Sequence, residues 1–195
     1  MKPYLVIMLK EPRAGRVKTR LGRDIGMVPA AWWFRHQTAR LIRRLDDPRW
    51  HLVLAVSPDR AGLTSRVWPA HIPRVAQGRG DLGQRMGRIL RGFPPGRVVI
   101  VGGDIPGIRA HHIARAFRRL GRHDVVFGPA TDGGFWLIGM KRTTRVPATL
   151  FQNVRWSSRF ALADTLVSLA GQRIAQIDRL PDVDTAADLV SLHAP

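Results

Sequence analysis

The chain has no cysteine, only four lysines, one glutamate and no long apolar run. The absence of cysteine excludes disulfides, thiolate metal sites and a cysteine nucleophile. The first apolar run, residues 4–9, is too short for a membrane span or a signal peptide core, and it passes into Lys10-Glu11-Pro12. We therefore expect a cytoplasmic protein without a membrane span.

Positive charge is abundant and unevenly distributed. Across 195 residues, 32 basic and 14 acidic side chains give a net charge of +18, with +14 in residues 1–102 and +4 in residues 103–195. Such a distribution favours an anionic ligand, either a nucleotide or a nucleic acid. A genome rich in G and C would also produce this arginine bias. The sequence has no recognition motif for nucleic acid, so nucleic acid is not the expected partner.

Apolar runs predict strands that alternate with helices along the whole chain. Strands are expected at residues 4–9, 52–56, 72–76, 98–101, 125–127 and 173–177, with a further apolar segment at 135–140. Helical patterns cover residues 30–45, 82–93, 113–120, 160–170 and the segment after Asp184. This order predicts a single α/β domain over residues 1–195, with a mostly parallel sheet covered by helices. Ligands of such sheets bind beyond the carboxyl ends of the strands, here the loops after Leu9, Val101 and Phe127.

The loop after the first strand is strongly basic. It places five cations in residues 10–20, with Gly15 near the centre. Gly15 would allow close approach of the backbone to a phosphate, whose oxygens Arg13, Lys18 and Arg20 would neutralise. The spacing of glycines differs from a Walker A loop. The alternative is a solvated basic loop without a ligand.

Three aspartates follow predicted strands or precede a predicted helix. Asp104 follows the strand at 98–101, where a carboxylate can hold a divalent cation that also binds phosphates. Capping of a turn is its alternative role. Asp132 lies in a glycine-rich turn and could meet a ligand hydroxyl or a metal, although Asp-Gly is also a common hairpin turn. Asp184 is a candidate N-cap of the last helix, with Asp188 in its first turn.

Residues 78–83 match the pattern G-x-G-x-x-G of dinucleotide-binding proteins. That fingerprint belongs to the first strand-to-helix turn, whereas this match follows the third strand and its last glycine falls within a helical pattern. The segment is expected instead to form a loop close to a ligand base or phosphate.

Six ordered motifs together carry a resemblance to a known family. They are KEPRAGRVKTRL from Lys10, GDLGQRM from Gly80, VGGDIPGI from Val101, GPATDGGFWLIGM from Gly128, WSS from Trp156 and DVDTAADL from Asp182. They resemble the bacterial DUF2064, or glycosyltransferase A-like, proteins of the GT-A superfamily. The resemblance implies a single-domain GT-A fold, that of nucleotide-diphospho-sugar transferases.

The resemblance also implies roles for individual residues. It assigns the nucleotide phosphates to Arg13, Gly15, Lys18 and Arg20, a metal, Mg²⁺ or Mn²⁺, to Asp104 and Asp184, and the acceptor side to Asp132, Gly133 and Gly134. Asp184 thereby gains a second possible role beside helix capping. We further predict that Gly80 and Asp81 bind the nucleotide, that Lys18 and Asp132 take part in catalysis, and that Trp156 lies on the acceptor side.

The activity implied is a metal-dependent transfer from a nucleotide-activated donor to a small-molecule acceptor. Glycosyl transfer from a nucleotide-diphospho-sugar is the first hypothesis. Nucleotidyl transfer with release of pyrophosphate is the alternative, because the single carboxylate at Asp104 resembles nucleotidyltransferases, whereas many glycosyltransferases have two acids there. A fold that only binds nucleotide is a third possibility. A homo-oligomer is also possible, with Trp32 or Trp68 exposed at an interface.

Overall fold

The computed structural model describes residues 1–143 and 145–192. In chain order the strands are β1 (Tyr4–Lys10), β2 (His51–Ser57), β3 (Arg74–Ala76), β4 (Gly96–Gly102), β5 (Val125–Pro129), β6 (Phe135–Arg142) and β7 (Ile174–Gln176). The helices are α1 (Thr19–Ile25), α2 (Met27–Leu45), α3 (Asp59–Thr64), α4 (Leu82–Gly92), α5 (Ala110–Arg119), α6 (Ala161–Val167) and α7 (Ala186–Ser191).

The strands form one sheet in the order β3-β2-β1-β4-β6-β5-β7. Neighbouring strands are parallel, except that β6 is antiparallel to both β4 and β5. The predicted α/β class with a mostly parallel sheet is therefore confirmed.

Both faces of the sheet are covered, as the continuous apolar strands require. Successive residues of β1 enter opposite layers, with Leu5 and Ile7 in one hydrophobic cluster and Val6 in the other. The first cluster receives Leu41 from α2, whereas the second receives Met86 from α4. Alternation along a strand thus supplies two cores from one segment of sequence.

Two short helices were not predicted. Helix α1 occupies the end of the basic segment and begins after Lys18, whose backbone is left-handed (φ 46°, ψ 47°), without a side-chain cap. It contains Gly22 and spans seven residues, so neither capping nor helix propensity signals it. Helix α3 spans only six residues. The periodicity of so few residues is too short to recognise.

The two tryptophans proposed for an interface differ in exposure. Trp32 is 57% exposed, as expected, but Trp68 is only 3% exposed and packs in the same hydrophobic cluster as Leu41. The expectation of an exposed Trp68 is therefore wrong, because its ring contributes to the core. Within residues 1–143 and 145–192, no helix combines the length and apolar character needed to cross a membrane.

The antiparallel strand β6 packs so tightly that a glycine is required in its centre. A Cβ added to Gly139 would lie 2.7 Å from Cγ1 of Val126 and 2.8 Å from Cγ2 of Val99, on the two neighbouring strands. It would also lie 3.2 Å from Cδ1 of Leu120, which follows α5. By contrast, a Cβ on Gly92, at the end of α4, would have no atom within 4 Å.

We predict that Gly139→Ala lowers the free energy of unfolding by about 1–3 kcal/mol, because the added methyl overpacks the sheet. Gly92→Ala is the matched control and is expected to be neutral or stabilising by about 0.5–1 kcal/mol. Urea titration of both variants measures the difference. Equal stability of Gly139→Ala and wild type would contradict this packing.

Candidate active site

A cavity of about 750 Å³ opens at the carboxyl edge of the sheet. Its walls come from the loops after β1 and β4, the β5–β6 turn, and segments around residues 156–161 and 182–184. The volume lies within the range of small-molecule sites. The prediction that ligands bind at this edge thus coincides with a cavity in the structure.

Lys18 lies at the centre of the charged part of the cavity. Its Nζ donates hydrogen bonds to Oδ2 of Asp104 at 2.8 Å and to Oδ1 of Asp184 at 2.7 Å. The lysine side chain is only 6% exposed, while the two carboxylates are about one third exposed. The residues predicted to bind a metal, Asp104 and Asp184, are therefore brought together by one ammonium group.

The backbone of Lys18 supports this arrangement. A left-handed conformation costs a non-glycine residue about 1–2 kcal/mol. The two charge-assisted hydrogen bonds of the ammonium offset this cost. Arg20, the second cation of the segment in contact with the acids, donates from Nη1 to Oδ2 of Asp184 at 3.1 Å but is largely exposed.

The carboxylate of Asp184 is available because another residue caps α7. Thr185 is the N-cap, and its side chain accepts a hydrogen bond from the backbone N–H of Asp188. The carboxylate of Asp188 accepts in return from the N–H of Thr185 at 2.7 Å. The interpretation of Asp184 as the N-cap is therefore wrong by one residue, because a capping box of Thr185 and Asp188 fulfils that role.

The electrostatics of the cavity favour a charged Lys18. Burial by itself lowers the pKa of Lys18, but the charges and hydrogen bonds of Asp104 and Asp184 more than compensate, so its pKa is raised above the ordinary value. The ammonium is therefore protonated at neutral pH.

A fourth acid of the cavity, Asp182, was missed by the sequence analysis. Burial raises the pKa of Asp182, and the nearby carboxylates of Asp132, Asp184 and Asp104 add to the increase. Val183, between the two aspartates, is fully buried, whereas Asp182 and Asp184 both line the cavity. The sequence Asp-Val-Asp, an apolar residue between two acids, is the available signal, but residues 182–184 lie outside the strands and helices, so no periodicity identifies Asp182.

Asp132 lies in the turn between β5 and β6. It is exposed, and its Oδ1 accepts a hydrogen bond from the N–H of Gly134 at 2.8 Å. This contact orients one oxygen and leaves the other for a ligand. Asp132, Gly134 and Trp156 all line the cavity, as do Arg16 and Gln77, which were not predicted. The sequence around a single side chain does not show that it faces a cavity, so Arg16 and Gln77 could not have been identified as cavity residues.

Five residues with predicted roles are not among those lining the cavity: Arg13, Gly15, Gly80, Asp81 and Gly133. Arg13 pairs with Glu11 at 2.9 Å. Asp81 caps α4 in a capping box with Gln84. Gly133 has φ 88° and packs directly against the backbone of Arg159, joining two loops of the wall. Their roles in binding nucleotide or acceptor stay predictions.

The donor set is suited to a small divalent cation. Two carboxylate oxygens within 2.8 Å of one ammonium nitrogen already surround a cation. Mg²⁺ is commonly held by one or two carboxylates, with phosphates and water completing the coordination. In the described part of the chain no group of three or more His, Cys, Asp or Glu could hold a metal alone. A metal here would therefore need oxygen ligands from the substrate or solvent.

Several solved structures share this fold. A protein of Desulfovibrio desulfuricans G20, provisionally named a nucleotide-diphospho-sugar transferase, is 29% identical, with a TM-score of 0.87 over 98% of this chain and 86% of that one. Rv0371c of Mycobacterium tuberculosis H37Rv, in complex with manganese, is 17% identical, with a TM-score of 0.56 over 98% and 97% of the two chains. A nucleotidyl transferase from Methanothermobacter is 14% identical, with a TM-score of 0.63 over 98% and 95%.

The sequence comparisons identify the family. No curated protein matches the chain. The family model DUF2064, described as an uncharacterized protein conserved in bacteria, matches residues 40–158, which include Asp104, Asp132 and Trp156. Since this match covers more than half of the chain, the protein belongs to the DUF2064 family and has the fold of nucleotide-diphospho-sugar transferases.

Proposed function

We propose that this chain is a metal-dependent transferase that uses a nucleotide-activated donor. The observation that carries the proposal is the Lys18 ammonium held between Asp104 and Asp184 inside a cavity at the carboxyl edge of the sheet. A site of acids and a cation in contact is suited to a phosphorylated ligand with its metal. The similarity to a protein named as a nucleotide-diphospho-sugar transferase, and to nucleotidyltransferases, supports the same activity class.

The donor diphosphate would lie on the wall formed by residues 16–20. Arg16, Lys18 and Arg20 line this wall, and both arginines are exposed to the cavity solvent. Guanidinium groups form paired hydrogen bonds with phosphate oxygens, and an ammonium neutralises them as a point charge. These side chains would stabilise the negative charge that develops on the leaving phosphate during transfer.

Asp104 and Asp184 would hold the metal. A bound Mg²⁺ or Mn²⁺ would supply further neutralisation of the diphosphate. A complex of Rv0371c with manganese is known, and because Rv0371c has the same fold it supports the use of a divalent ion by this chain. The chain itself supplies two carboxylates at fixed positions, one after β4 and one before α7.

Glycosyl transfer is the first candidate reaction, with Asp132 as the base. The acceptor hydroxyl oxygen would form a bond to the anomeric carbon of the sugar while the bond to the diphosphate oxygen breaks. The carboxylate of Asp132 would take the hydroxyl proton, and the nucleoside diphosphate would leave with the electron pair. Asp132 is suited to this role because it is exposed to the cavity and oriented by Gly134. Gly134 and Trp156 would face the acceptor.

Nucleotidyl transfer is the second candidate, and one observation favours it. The segment after β4 supplies a single acid, Asp104, between Gly103 and Ile105. In this reaction an acceptor oxygen would attack the α-phosphorus of a nucleoside triphosphate, and pyrophosphate would leave. An anionic acceptor carries no proton to remove, so this reaction would not depend on Asp132.

We predict that nucleotides or sugar nucleotides raise the Tm of the protein in the presence of Mg²⁺ or Mn²⁺. At a ligand concentration a hundredfold above Kd, the shift should be about 5–10 °C. Asp104→Asn should abolish the metal-dependent part of the shift, because one of the two metal ligands is lost. A thermal-shift panel of nucleotides, with and without metal, measures both effects.

The matched control is Asp124→Asn. Asp124 pairs with Arg173 and does not line the cavity, so this variant makes the same change in net charge elsewhere. It should retain the metal-dependent shift. If no nucleotide stabilises the wild type and DNA or RNA binds with a steep salt dependence, the proposed function is wrong.

Asp132→Asn is predicted to separate the two candidate reactions. In glycosyl transfer it should lower kcat by about 10²–10⁴-fold, because the amide cannot accept the proton, while nucleotide binding stays unchanged. In nucleotidyl transfer kcat should change little. The released product, nucleoside diphosphate or pyrophosphate, is identified in the same assay with the wild type. Release of nucleoside diphosphate with an unchanged kcat for Asp132→Asn would contradict the assignment of Asp132 as the base.

A further inference from the structure

The position that suits a metal is already filled by a side chain of the protein. Nζ of Lys18 lies 2.8 Å from Asp104 and 2.7 Å from Asp184, distances of strong charge-assisted hydrogen bonds. Its side chain is 6% exposed, so the ammonium lies at the wall of the cavity against the two acids and is largely withdrawn from solvent. The lysine therefore donates a hydrogen bond to one oxygen of each acid, Oδ2 of Asp104 and Oδ1 of Asp184.

A divalent ion cannot share this position with the ammonium. The carboxylate oxygens that would coordinate the metal already accept hydrogen bonds from the ammonium. A metal and an ammonium in contact with the same oxygens would also repel each other strongly in this partly buried environment. Arg20 adds a second positive charge at Oδ2, the outer oxygen of Asp184, which Lys18 does not contact. Two acids thus face two cations, and their charge is balanced without a metal.

A bound phosphate changes this balance. Its oxygens supply negative charge on the wall that Lys18, Arg16 and Arg20 line. When the ammonium of Lys18 turns towards the phosphate, its positive charge is paired with the phosphate oxygens. A metal that then enters between Asp104 and Asp184 pairs with their negative charges. When both movements occur, no charge is left uncompensated. Movement of the lysine alone would leave the carboxylates unpaired, and entry of the metal alone would place it against the ammonium.

Given the nucleotide- and metal-dependent function proposed above, on which this inference rests, we propose that Lys18 competes with the divalent metal for Asp104 and Asp184. When no nucleotide is bound, the ammonium occupies the position between the two carboxylates. It releases them to the metal when the phosphates of the donor enter. Metal and nucleotide therefore bind cooperatively, and the free protein has low affinity for the metal.

The test measures Mn²⁺ binding without nucleotide, by the loss of the free Mn²⁺ signal in electron paramagnetic resonance. Lys18→Met removes the ammonium and leaves an apolar chain of similar length. We expect Lys18→Met to bind Mn²⁺ at least about tenfold more tightly than the wild type, within the range typical of coupled binding sites. Mn²⁺ alone should also raise the Tm of Lys18→Met and leave that of the wild type unchanged.

Arg20→Met is the matched control, since it removes a cation of equal charge from the outer oxygen of Asp184. Its effect on Mn²⁺ affinity should be smaller than that of Lys18→Met. The double variant Lys18→Met/Asp104→Asn should lose the gain in affinity. If Lys18→Met does not fold, Lys18→Gln, which keeps an N–H donor but no charge, is measured with the same expectation.

Cooperativity is measured with the nucleotide that gives the largest shift in the panel described above. In the wild type the Tm shift with Mn²⁺ and nucleotide together should exceed the sum of the separate shifts, and in Lys18→Met this excess should be smaller, because only the direct contact of metal and phosphate then couples the two ligands. A wild type that binds nucleotide but binds Mn²⁺ alone as tightly as Lys18→Met would overturn the inference. If no nucleotide binds the wild type, the proposed function fails, whereas the comparison with Mn²⁺ alone still shows whether Lys18 competes with a metal.

Discussion

The contact of one ammonium group with two carboxylates organises the site of this protein. Lys18 is separated from Asp104 by 86 positions in the sequence and from Asp184 by 166. It therefore ties the segment before α1 to the end of β4 and to the segment before α7. A second contact supports the same closure, because the carboxylate of Asp24 in α1 accepts a hydrogen bond from the N–H of Ala186 at 2.9 Å.

The distribution of charge shows that this site is not a product of composition. Among the described residues, four of the 14 acids of a strongly basic chain line one cavity: Asp104, Asp132, Asp182 and Asp184. Many other aspartates form surface pairs with arginines, as Asp47 does with Arg49 and Asp164 with Arg155. Burial raises the pKa of Asp182, and the neighbouring acids raise it further. Such a concentration of acids is costly unless cations compensate it, and the ammonium of Lys18 contacts two of these acids.

The strands could be predicted because each buried strand is a continuous apolar run, and the rule for parallel sheets then placed the loops after β1 and β4 together. The partner of each charged side chain could not be predicted, because contacts such as those of Lys18 join segments that are distant in the sequence. Asp81 shows the opposite case. Its local signal, an aspartate three residues before Gln84, is that of the capping box that the structure contains, whereas no local signal supports its predicted role in binding nucleotide. Local chemistry predicts caps, and only the tertiary structure shows which acids face a common cavity.

The antiparallel strand explains how so many segments reach one edge. Because β6 runs opposite to β4, its first residues lie beside the end of β4, as the pairing of Val101 with Leu137 shows. The turn carrying Asp132 follows β5, which runs in the same direction as β4, and it therefore lies at the same edge as Asp104. After β7, which is parallel to β5, the chain continues along this edge, where Ala130 pairs with Leu180 and Trp136 donates from Nε1 to the carbonyl of Asp178. A fully parallel sheet would place the start of the strand after Asp132 at the opposite edge. The reversal of one strand therefore keeps the residues that follow Asp132, Gly134 and Trp136 among them, at the edge that contains the paired acids.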